Sequence, residues 1–495
     1  MHRRQFLAAT GAVAMLPGLA RAAPNRDEAL RAALDGLSRL DTPEAKLAQL
    51  KQFDPAALSP SPRIDLEVVR AGLAVDAQLV RRFPIGRLGR SPYSITPNAG
   101  AWRDATPDAR KVEAESEAIR ADAARGVILP APLLDKTRAG VAAAADKASG
   151  PAADALHRQA ALLAELAPKA PAEPGTGRFP GGTDYFALLL ERHYGARIAP
   201  AEAHRILLAK AEELTGRTDA VLKRLGYTQG SVGARISAAF RDPRFLYSDD
   251  DAGRDRAVAD MNAALARIPA RLSAWFGPLP PECLNVATVR MTRAEEAEGK
   301  QGYRTIPTPT TPGAYYPDLK RIRDRPSWTL PAVVHHELLP GHMIQLPIEA
   351  EANPHPLRLD YAPAFAEGWA IYTEQLMAEH GAFADDDRAL LGHLHWMLFR
   401  IGRALVDTGV HIGQETLTQT SNKLATLQGE AAYFAPMAQD IERICIDPAM
   451  RAAEALTWLG LARIGAAEQR KGKESLKKFH RRLLANGRKR FATIS

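Results

Sequence analysis

The sequence has little cysteine and few aromatic residues, and both shortages narrow the choice of fold. Two of its 495 residues are cysteine, Cys283 and Cys445, which excludes a disulfide-dense scaffold. Neither has a second cysteine or a histidine at metal-ligand spacing, which argues against zinc held by sulfur. Aromatic residues make up 6% of the chain, and its alanine-rich runs favour helix. Whether the two thiols pair is left open by the sequence.

Several patterns of known chemistry are also missing. The glycine-rich stretch at residues 175–182 has no Lys-Ser/Thr after it, so it is not a phosphate-binding loop. No Gly-x-Ser-x-Gly pattern occurs, which leaves a serine hydrolase without its nucleophile. Beyond the first 22 residues no apolar run is long enough to cross a bilayer, so we expect no stable membrane anchor.

The first 22 residues have the three parts of a secretory signal peptide. The basic start, RRQFL at residues 3–7, is similar to a twin-arginine export signal. An apolar stretch follows, and Ala20-Arg21-Ala22 offers a cleavage site. We therefore expect a periplasmic protein that is cleaved near Ala22. Cleavage removes three arginines and lowers the formal charge from +8 to about +5, so no nucleic-acid partner is expected.

Apolar residues at three- and four-residue spacing predict helices along most of the chain. We expect a mostly α-helical protein with an N-terminal helical region at residues 23–167 and a second, catalytic helical region at residues 183–495. Prolines and glycines at residues 168–182 predict a linker or loop between them. Two segments have the residue types of strands, CLNVATVRM at residues 283–291 and GAYY at residues 313–316.

The segment HHELLPGH at residues 335–342 carries the strongest chemical signal. Two histidines, with a glutamate directly after the first, are typical of zinc peptidases in which the imidazoles bind the ion and the glutamate is the general base. His336 and His342 are six residues apart, which on an ideal helix is roughly 240° around the axis and about 9 Å along it. One ion can bind both only if the Pro-Gly pair between them breaks the helix. Glu337 is then the expected general base.

A third metal ligand is expected from Glu367, in the otherwise apolar stretch AFAEGWA at residues 364–370. Buried carboxylates are rare unless they are paired or bound to metal. Glu374 lies seven residues further on the same helix face, where it can orient a ligating imidazole. The alternative for Glu367 is a buried ion pair with Arg400 or Arg403.

His336, His342 and Glu367 together predict one Zn²⁺ per chain, although such a ligand set also suits other divalent metals. His335 is the alternative to His336 as a ligand. Because His335 is farther from His342 along the helix, we expect it in a hydrogen bond at the rim of the site.

Two further segments contribute candidates for catalysis. Asp407 and His411 are four residues apart on one predicted helix, so either could orient a ligand or help hold an oxyanion. The alternative is a structural ion pair, and we add His411 to the catalytic candidates. Tyr315 and Tyr316 precede the zinc segment and, if extended, can present backbone to a peptide. Tyr316 is the third catalytic candidate, beside Glu337.

At these residues the chain resembles a known family. HHELLPGHMIQ at residues 335–345 resembles the HExxPGHxxQ signature of the domain-of-unknown-function 885 family, relatives of the gluzincin metallopeptidases. AFAEGWAIYTEQL at residues 364–376 is similar to its FxEGWAxYxExL segment, and RALVDTGVH at residues 403–411 to its RLVVDTGxH segment. The resemblance implies a large helical gluzincin-like fold with a hydrolase-like zinc site. HELLPGH also resembles the HELLGH of dipeptidyl-peptidase III enzymes, in which the histidine spacing is likewise lengthened.

The chain departs from the family pattern near its C-terminus. The family usually carries EVxRYIxxPGQAxxYKIG, and Asp440, Arg443 and Pro448 match it. The positions of the Gly, Gln, Tyr and Lys are occupied here by Ala449, Met450, Glu454 and Ala455. If that Tyr and Lys assist the transition state or bind a substrate carboxylate, specificity or turnover changes here.

The sequence thus predicts a periplasmic zinc-dependent hydrolase, foremost a metallopeptidase that acts on a small peptide or amide substrate. Zinc would activate water, and Glu337 would take its proton and deliver it to the leaving amine. Two alternatives stay open. One is a non-catalytic zinc- or peptide-binding protein, which the altered C-terminal motif favours. The other is a non-peptide amide or ester hydrolase with the same chemistry.

Overall fold

A computed structural model of the protein describes residues 25–413, 415–429 and 437–494. The predicted signal peptide at residues 1–22 lies outside the described residues. In the described part, α-helices dominate and the strands are few and short, so the predicted mostly α-helical class is confirmed. None of the described helices is long and apolar enough to cross a membrane.

The N-terminal helices begin at residues that satisfy their first backbone N–H groups. The Asn25 side chain accepts from the N–H of Glu28 at 2.9 Å, and the Asp108 side chain accepts from Lys111 at 3.0 Å. Proline occupies the first turn of several others, where its missing N–H costs nothing. These helices are Arg26–Gly36 (α1), Pro43–Leu50 (α2), Pro60–Arg82 (α3), Ala109–Ala124 (α4), Ala131–Ala145 (α5) and Gly150–Leu166 (α6).

The middle of the chain continues with helices of very different length. The longest has 25 residues and packs along the later helix that ends at His411. The helices are Gly182–Tyr194 (α7), Pro200–Arg224 (α8), Val232–Phe240 (α9), Asp251–Leu265 (α10), Pro269–Leu272 (α11) and Arg293–Ala297 (α12).

The C-terminal part carries the predicted zinc segment on two short helices, and longer helices surround it. They are Leu330–Glu337 (α13), His342–Glu351 (α14), Pro356–Tyr361 (α15), Ala364–Glu379 (α16), Asp387–His411 (α17), Leu417–Gln428 (α18), Met437–Ile446 (α19), Met450–Lys471 (α20) and Lys473–Leu484 (α21).

A small sheet lies beside these helices, made of Val286–Thr288 (β1), Tyr303–Thr305 (β2) and Gly313–Tyr316 (β3). β3 is central and pairs parallel with β1 and antiparallel with β2. The predicted strand at residues 313–316 is confirmed. The strand predicted at residues 283–291 is shorter than expected, because Pro281–Leu284 forms a 3₁₀ turn before it.

The predicted linker or loop at residues 168–182 is packed against α17. A Cβ on Gly175 would lie 2.1 Å from the carbonyl oxygen of Val410, so the two backbones touch. Val406 and Val410 also belong to the same hydrophobic cluster as buried residues of α4, α5 and α6. The N-terminal helices therefore share a core with α17.

Cys283 and Cys445 are both buried and both free, so the two thiols do not pair in this structure. Burial raises the pKa of each thiol to about 12. Both side chains are therefore inert packing groups at neutral pH.

Candidate metal centre

A sharp turn at residues 338–341 separates α13, which ends at Glu337, from α14, which begins at His342. The N–H of Gly341 donates to the carbonyl of His335 at 3.1 Å. A Cβ at position 341 would lie 1.9 Å from the carbonyl oxygen of His336, so this close approach requires glycine. The predicted break of the helix at the Pro-Gly pair is confirmed.

Trp369 of the neighbouring helix α16 stabilises this turn through its indole N–H. Its indole N–H lies 3.1 Å from the carbonyl oxygen of Gly341 and 3.3 Å from that of Pro340. Trp369 is fully buried and stands two residues after Glu367 on the same helix. The helix that supplies the carboxylate therefore also fixes the turn that returns His342 to His336.

The structure brings the three predicted ligands together. Candidate ligand atoms of His336, His342 and Glu367 all lie within 4.8 Å of one another. The two oxygens of Glu367 lie 3.4 Å from Nε2 of His336 and 3.4 Å from Nε2 of His342. Ligands about 2.1 Å from one ion at tetrahedral angles are separated by roughly 3.4 Å, so the spacing fits zinc.

The environment of His342 fits a metal ligand more closely than a structural histidine. Its side chain is 1% exposed, and neither ring nitrogen has a hydrogen-bond partner among the described residues. Leaving buried polar atoms unsatisfied is costly unless another partner binds them. Burial lowers the pKa of His342, and a neutral imidazole is the form that binds metal. The donor set of two imidazoles and one carboxylate therefore fits zinc.

Glu374 stands behind His336, as predicted for a residue that orients a ligand. Its Oε2 lies 3.7 Å from Nδ1 of His336, which is ion-pair distance. Its other oxygen accepts from Nδ1 of His393 at 2.9 Å, and Arg400 lies 3.1 Å from Oε2. Burial alone would raise the pKa of Glu374, but Arg400 and His393 outweigh it and lower that pKa. A buried anion thus faces the rear nitrogen of His336.

His336, His342 and Glu367 form what we call the candidate metal cluster. The carboxylate of Glu337 lies beside this cluster and accepts hydrogen bonds from Arg304 of β2. Two guanidinium nitrogens of Arg304 lie 2.6 and 3.0 Å from Oε2 of Glu337. Burial alone would raise the pKa of Glu337, but Arg304 and the imidazoles of His336 and His342 lower it. An ionised glutamate beside the ligands is the form that can accept a proton. Arg304 is not predictable from the sequence, because its three-residue strand is too short to show a detectable alternation.

The cluster opens into a cavity of about 280 Å³. The side chain of Glu367 is 40% exposed, so the ligand set is reachable from outside. Buried carboxylates and arginines surround it. The cavity is lined by Tyr315, Val333, His336, Glu337, Glu367, Ile371, Trp396, Phe399, Arg400, Arg403, Arg443, Arg451, Glu454 and Ala455.

The sequence left two alternatives open: His335 as a ligand in place of His336, and an ion pair of Glu367 with Arg400 or Arg403. Among the described residues, these side chains have other partners. Nδ1 of His335 donates to the carbonyl of Leu339 at 3.1 Å, and its ring packs on Phe383. Burial lowers the pKa of His335 to about 4. Arg400 pairs with Glu374, while Arg403 pairs with Asp440 at 2.7 Å. Neither arginine is thus the partner of Glu367.

The strand register places the catalytic candidate Tyr316 on the sheet face opposite to Arg304 and Tyr315. Tyr316 pairs with Tyr303 across the sheet, and their rings stack with centroids 4.4 Å apart. Successive strand residues point to opposite faces, so Tyr315 and its partner Arg304 lie on the other face. That face meets Glu337, and Tyr315 lines the cavity.

His411 is not among the residues that line the cavity, and both of its ring nitrogens form hydrogen bonds with backbone groups. Nδ1 accepts from the N–H of Thr176 at 3.1 Å, and Nε2 donates to the carbonyl of Ile444 at 2.9 Å. Burial lowers the pKa of His411 to about 4. Asp407 accepts from the N–H groups of Ala449 and Ala452, at 2.8 and 3.0 Å. Asp407 therefore holds the start of α20, and the hydrogen bonds of both side chains are to backbone groups.

The residues that depart from the resembled motif lie at this start of α20. Ala449 adopts a left-handed φ of 73°, a conformation that glycine takes without cost. Glu454 and Ala455 line the cavity, where the resembled pattern has Tyr and Lys. Glu454 pairs with Arg451 at 2.8 Å. The departure therefore changes the wall of the candidate site itself.

Two solved structures share this fold. One is a putative lipoprotein from Colwellia psychrerythraea, 21% identical, with a TM-score of 0.73 over 95% of each chain. The other is a putative lipoprotein of unknown function from Shewanella oneidensis, 18% identical, with a TM-score of 0.67 over 93% of this chain and 91% of that one. No curated protein matches the sequence.

A comparison with models of protein families identifies the family of this chain. The model described as "Bacterial protein of unknown function (DUF885)" matches residues 95–489, which include the turn, the candidate metal cluster and the cavity wall. That span is most of the chain. The protein therefore belongs to the DUF885 family.

Proposed function

We propose that this protein is a zinc-dependent hydrolase that cleaves short peptides. One observation carries the proposal: His336, His342 and Glu367 converge within 4.8 Å at a cavity that Glu337 also lines. A three-ligand set with an accessible side is the arrangement of catalytic zinc, whereas structural zinc is closed by four protein ligands. In such a site bound zinc supplies Lewis-acid chemistry, which polarises a carbonyl and acidifies water.

Three side chains of the protein transfer the proton and position the reacting groups. Glu337 accepts a proton from the attacking water and returns it to the leaving amine. Arg304 holds Oε2 of Glu337 at 2.6 Å, keeping the carboxylate ionised and fixing its direction. Glu374 lies 3.7 Å behind Nδ1 of His336, where its negative charge favours the ring orientation in which Nε2 faces Glu367.

A cavity of about 280 Å³ accommodates a few residues of a peptide, which supports small substrates. A non-peptide amide or ester would meet the same groups. A non-catalytic zinc- or peptide-binding protein is the second candidate, and one observation favours it. Glu454 and Ala455 replace a Tyr and a Lys in the cavity wall, so two polar groups of the resembled motif are missing.

We also propose that the protein is exported to the periplasm. The signal-like residues 1–22 support this, and so do the descriptions of the two structural neighbours as putative lipoproteins. Replacing Arg3 and Arg4 with lysine in the full chain should leave the protein in the cytoplasm. Export that survives both changes would contradict the twin-arginine route.

The test of catalysis uses Glu337→Gln, which keeps the shape of the side chain but cannot accept a proton. We expect zinc content and fold to stay as in the wild type, and turnover of a mixed short-peptide library to fall by about 10² to 10⁴. Glu117→Gln, at an exposed helix position, is the matched control and should remain active.

Two outcomes would overturn the proposal. A Glu337→Gln protein as active as the wild type would reject this general base. Zinc-loaded wild type without turnover on any peptide, ester or amide would favour the binding protein.

A further inference from the structure

Four arginines line the cavity beside the candidate metal cluster. Arg400 and Arg403 come from α17, Arg443 from α19 and Arg451 from α20. We call these four residues the guanidinium wall. An arginine side chain has five N–H donors and no acceptor, so a wall of arginines requires acceptors from elsewhere.

The protein supplies the wall with few acceptors. Arg400 lies 3.1 Å from Glu374, Arg403 lies 2.7 Å from Asp440, and Arg451 lies 2.8 Å from Glu454. Arg443 is exposed, and no hydrogen bond or ion pair engages its side chain among the described residues. Most of the wall's donors are thus left for solvent or a ligand.

A second cavity extends the cleft beyond the wall. It has a volume of about 500 Å³ and shares Arg443 and Arg451 with the metal-site cavity, so these two side chains stand where the cavities meet. Eight cationic side chains and six carboxylates from the described residues line the two cavities. Seven of the eight cations form ion pairs, so the positive charge without an ion-pair partner among the described residues is that of Arg443.

We propose that the guanidinium wall binds a carboxylate of the substrate, with Arg443 as its principal contact. This inference rests on the proposed function and narrows it to peptides or amides that carry a carboxylate close to the bond that is cut. Guanidinium groups match carboxylates in shape and bind them through paired hydrogen bonds. The carboxylate can come from the C-terminus of a peptide or from an acidic side chain.

Glu454 occupies Arg451 and would therefore compete with a substrate carboxylate for that side chain. Both of its oxygens accept from Nη1 of Arg451, at 2.8 and 3.0 Å. Removing that negative charge frees Arg451 for a ligand. Glu454→Gln should therefore tighten the binding of a carboxylate, whereas a purely structural role of the pair predicts no gain.

The test measures equilibrium binding by calorimetry on the Glu337→Gln protein, so that it does not depend on turnover. The probes are N-acetyl-Ala-Ala, its C-terminal amide, and N-acetyl-Asp-Ala amide. We expect at least one carboxylate probe to bind roughly 10- to 100-fold tighter than N-acetyl-Ala-Ala amide. The free acid and the aspartyl probe distinguish a terminal carboxylate from a side-chain carboxylate.

Arginine variants assign this preference to the wall. Arg443→Gln should weaken the preferred probe roughly 10- to 100-fold and leave the neutral amide unchanged. Arg323→Gln is the matched control, because Arg323 is exposed, outside both cavities, and without a hydrogen bond or ion pair among the described residues.

Equal binding of all three probes, or full binding by Arg443→Gln, would overturn the inference. Carboxylate binding that depends on Arg443 in a protein without hydrolytic activity would sustain the inference and reject the hydrolase. Hydrolysis of neutral amides with no dependence on Arg443 would reject the inference and sustain the hydrolase.

Discussion

Two buried groups of histidine and carboxylate lie in the C-terminal helices, and they differ in what their polar atoms contact. In the helix-end pair, Asp407 and His411, backbone groups engage both carboxylate oxygens and both ring nitrogens. In the candidate metal cluster, His342 is as deeply buried, yet neither of its ring nitrogens has a hydrogen-bond partner among the described residues. His342 and His411 are thus buried to the same extent and differ in their hydrogen-bond partners.

The comparison shows which property separates a candidate ligand site from a structural contact. Burying a polar atom costs free energy unless it forms a hydrogen bond or binds an ion. At the helix-end pair the backbone meets that requirement, so nothing further has to bind. At the candidate metal cluster no described residue meets that requirement for His342, and its Nε2 lies 3.4 Å from a carboxylate oxygen of Glu367.

The largest expected difference between the two groups is in zinc content. Wild type should hold about one zinc per chain, and His342→Ala should hold almost none, because the substitution removes one of the three proposed protein ligands. His411→Ala should keep its zinc but lose about 2–5 kcal/mol of the free energy of unfolding, since two buried backbone groups lose their partners. Elemental analysis and urea denaturation measure the two effects. Equal zinc in wild type and His342→Ala would remove His342 from the site.

A smaller difference is expected from the carboxylates that support each histidine. Glu374→Gln should weaken zinc binding about 10- to 100-fold, because His336 loses the anion behind its Nδ1. Asp407→Asn, the matched change in the helix-end pair, should leave zinc affinity unaltered. Competition with a chelator of known affinity gives both values. The same loss in both variants would mean that the two groups are coupled.

The most gradual of the expected effects concerns the pH dependence of stability at Asp407. Burial raises the pKa of Asp407 from 3.8 to about 7, so the folded protein holds a proton that the unfolded chain releases. From about pH 4 to pH 7, rising pH should therefore lower the stability of wild type by at most about 1.4 kcal/mol per pH unit relative to Asp407→Asn. Denaturation of both proteins across this range measures it. Parallel curves would show that Asp407 is ionised throughout.

Much of the fold and of the ligand set was predictable because the relevant signals are local. Helices follow from apolar spacing and from residues that cap their ends, as Asp108 does. The Pro-Gly pair sits inside the His-Glu-His segment, so the break in the helix is read from eight consecutive residues. Glu367 is conspicuous because it interrupts an apolar stretch.

The remaining site residues were not predictable because they depend on pairing between distant segments. The sequence predicts Tyr316 as a site residue, whereas Tyr315 lines the cavity, because a shift of one residue in a strand reverses the face on which a side chain lies. Arg304 reaches Glu337 from a strand of three residues, 33 positions earlier in the chain. The guanidinium wall combines residues of three helices.

By itself the sequence determined the helical class, the broken helix and the types of ligand, because spacing and residue chemistry act over a few neighbouring positions. Only the tertiary structure decided which buried groups are satisfied and which are available. His411 resembles a catalytic residue until Thr176, 235 positions away, donates to its ring. His342 gains no such partner among the described residues, and instead meets Glu367. Hydrogen-bond satisfaction depends on atoms brought together by packing, and no local pattern contains it.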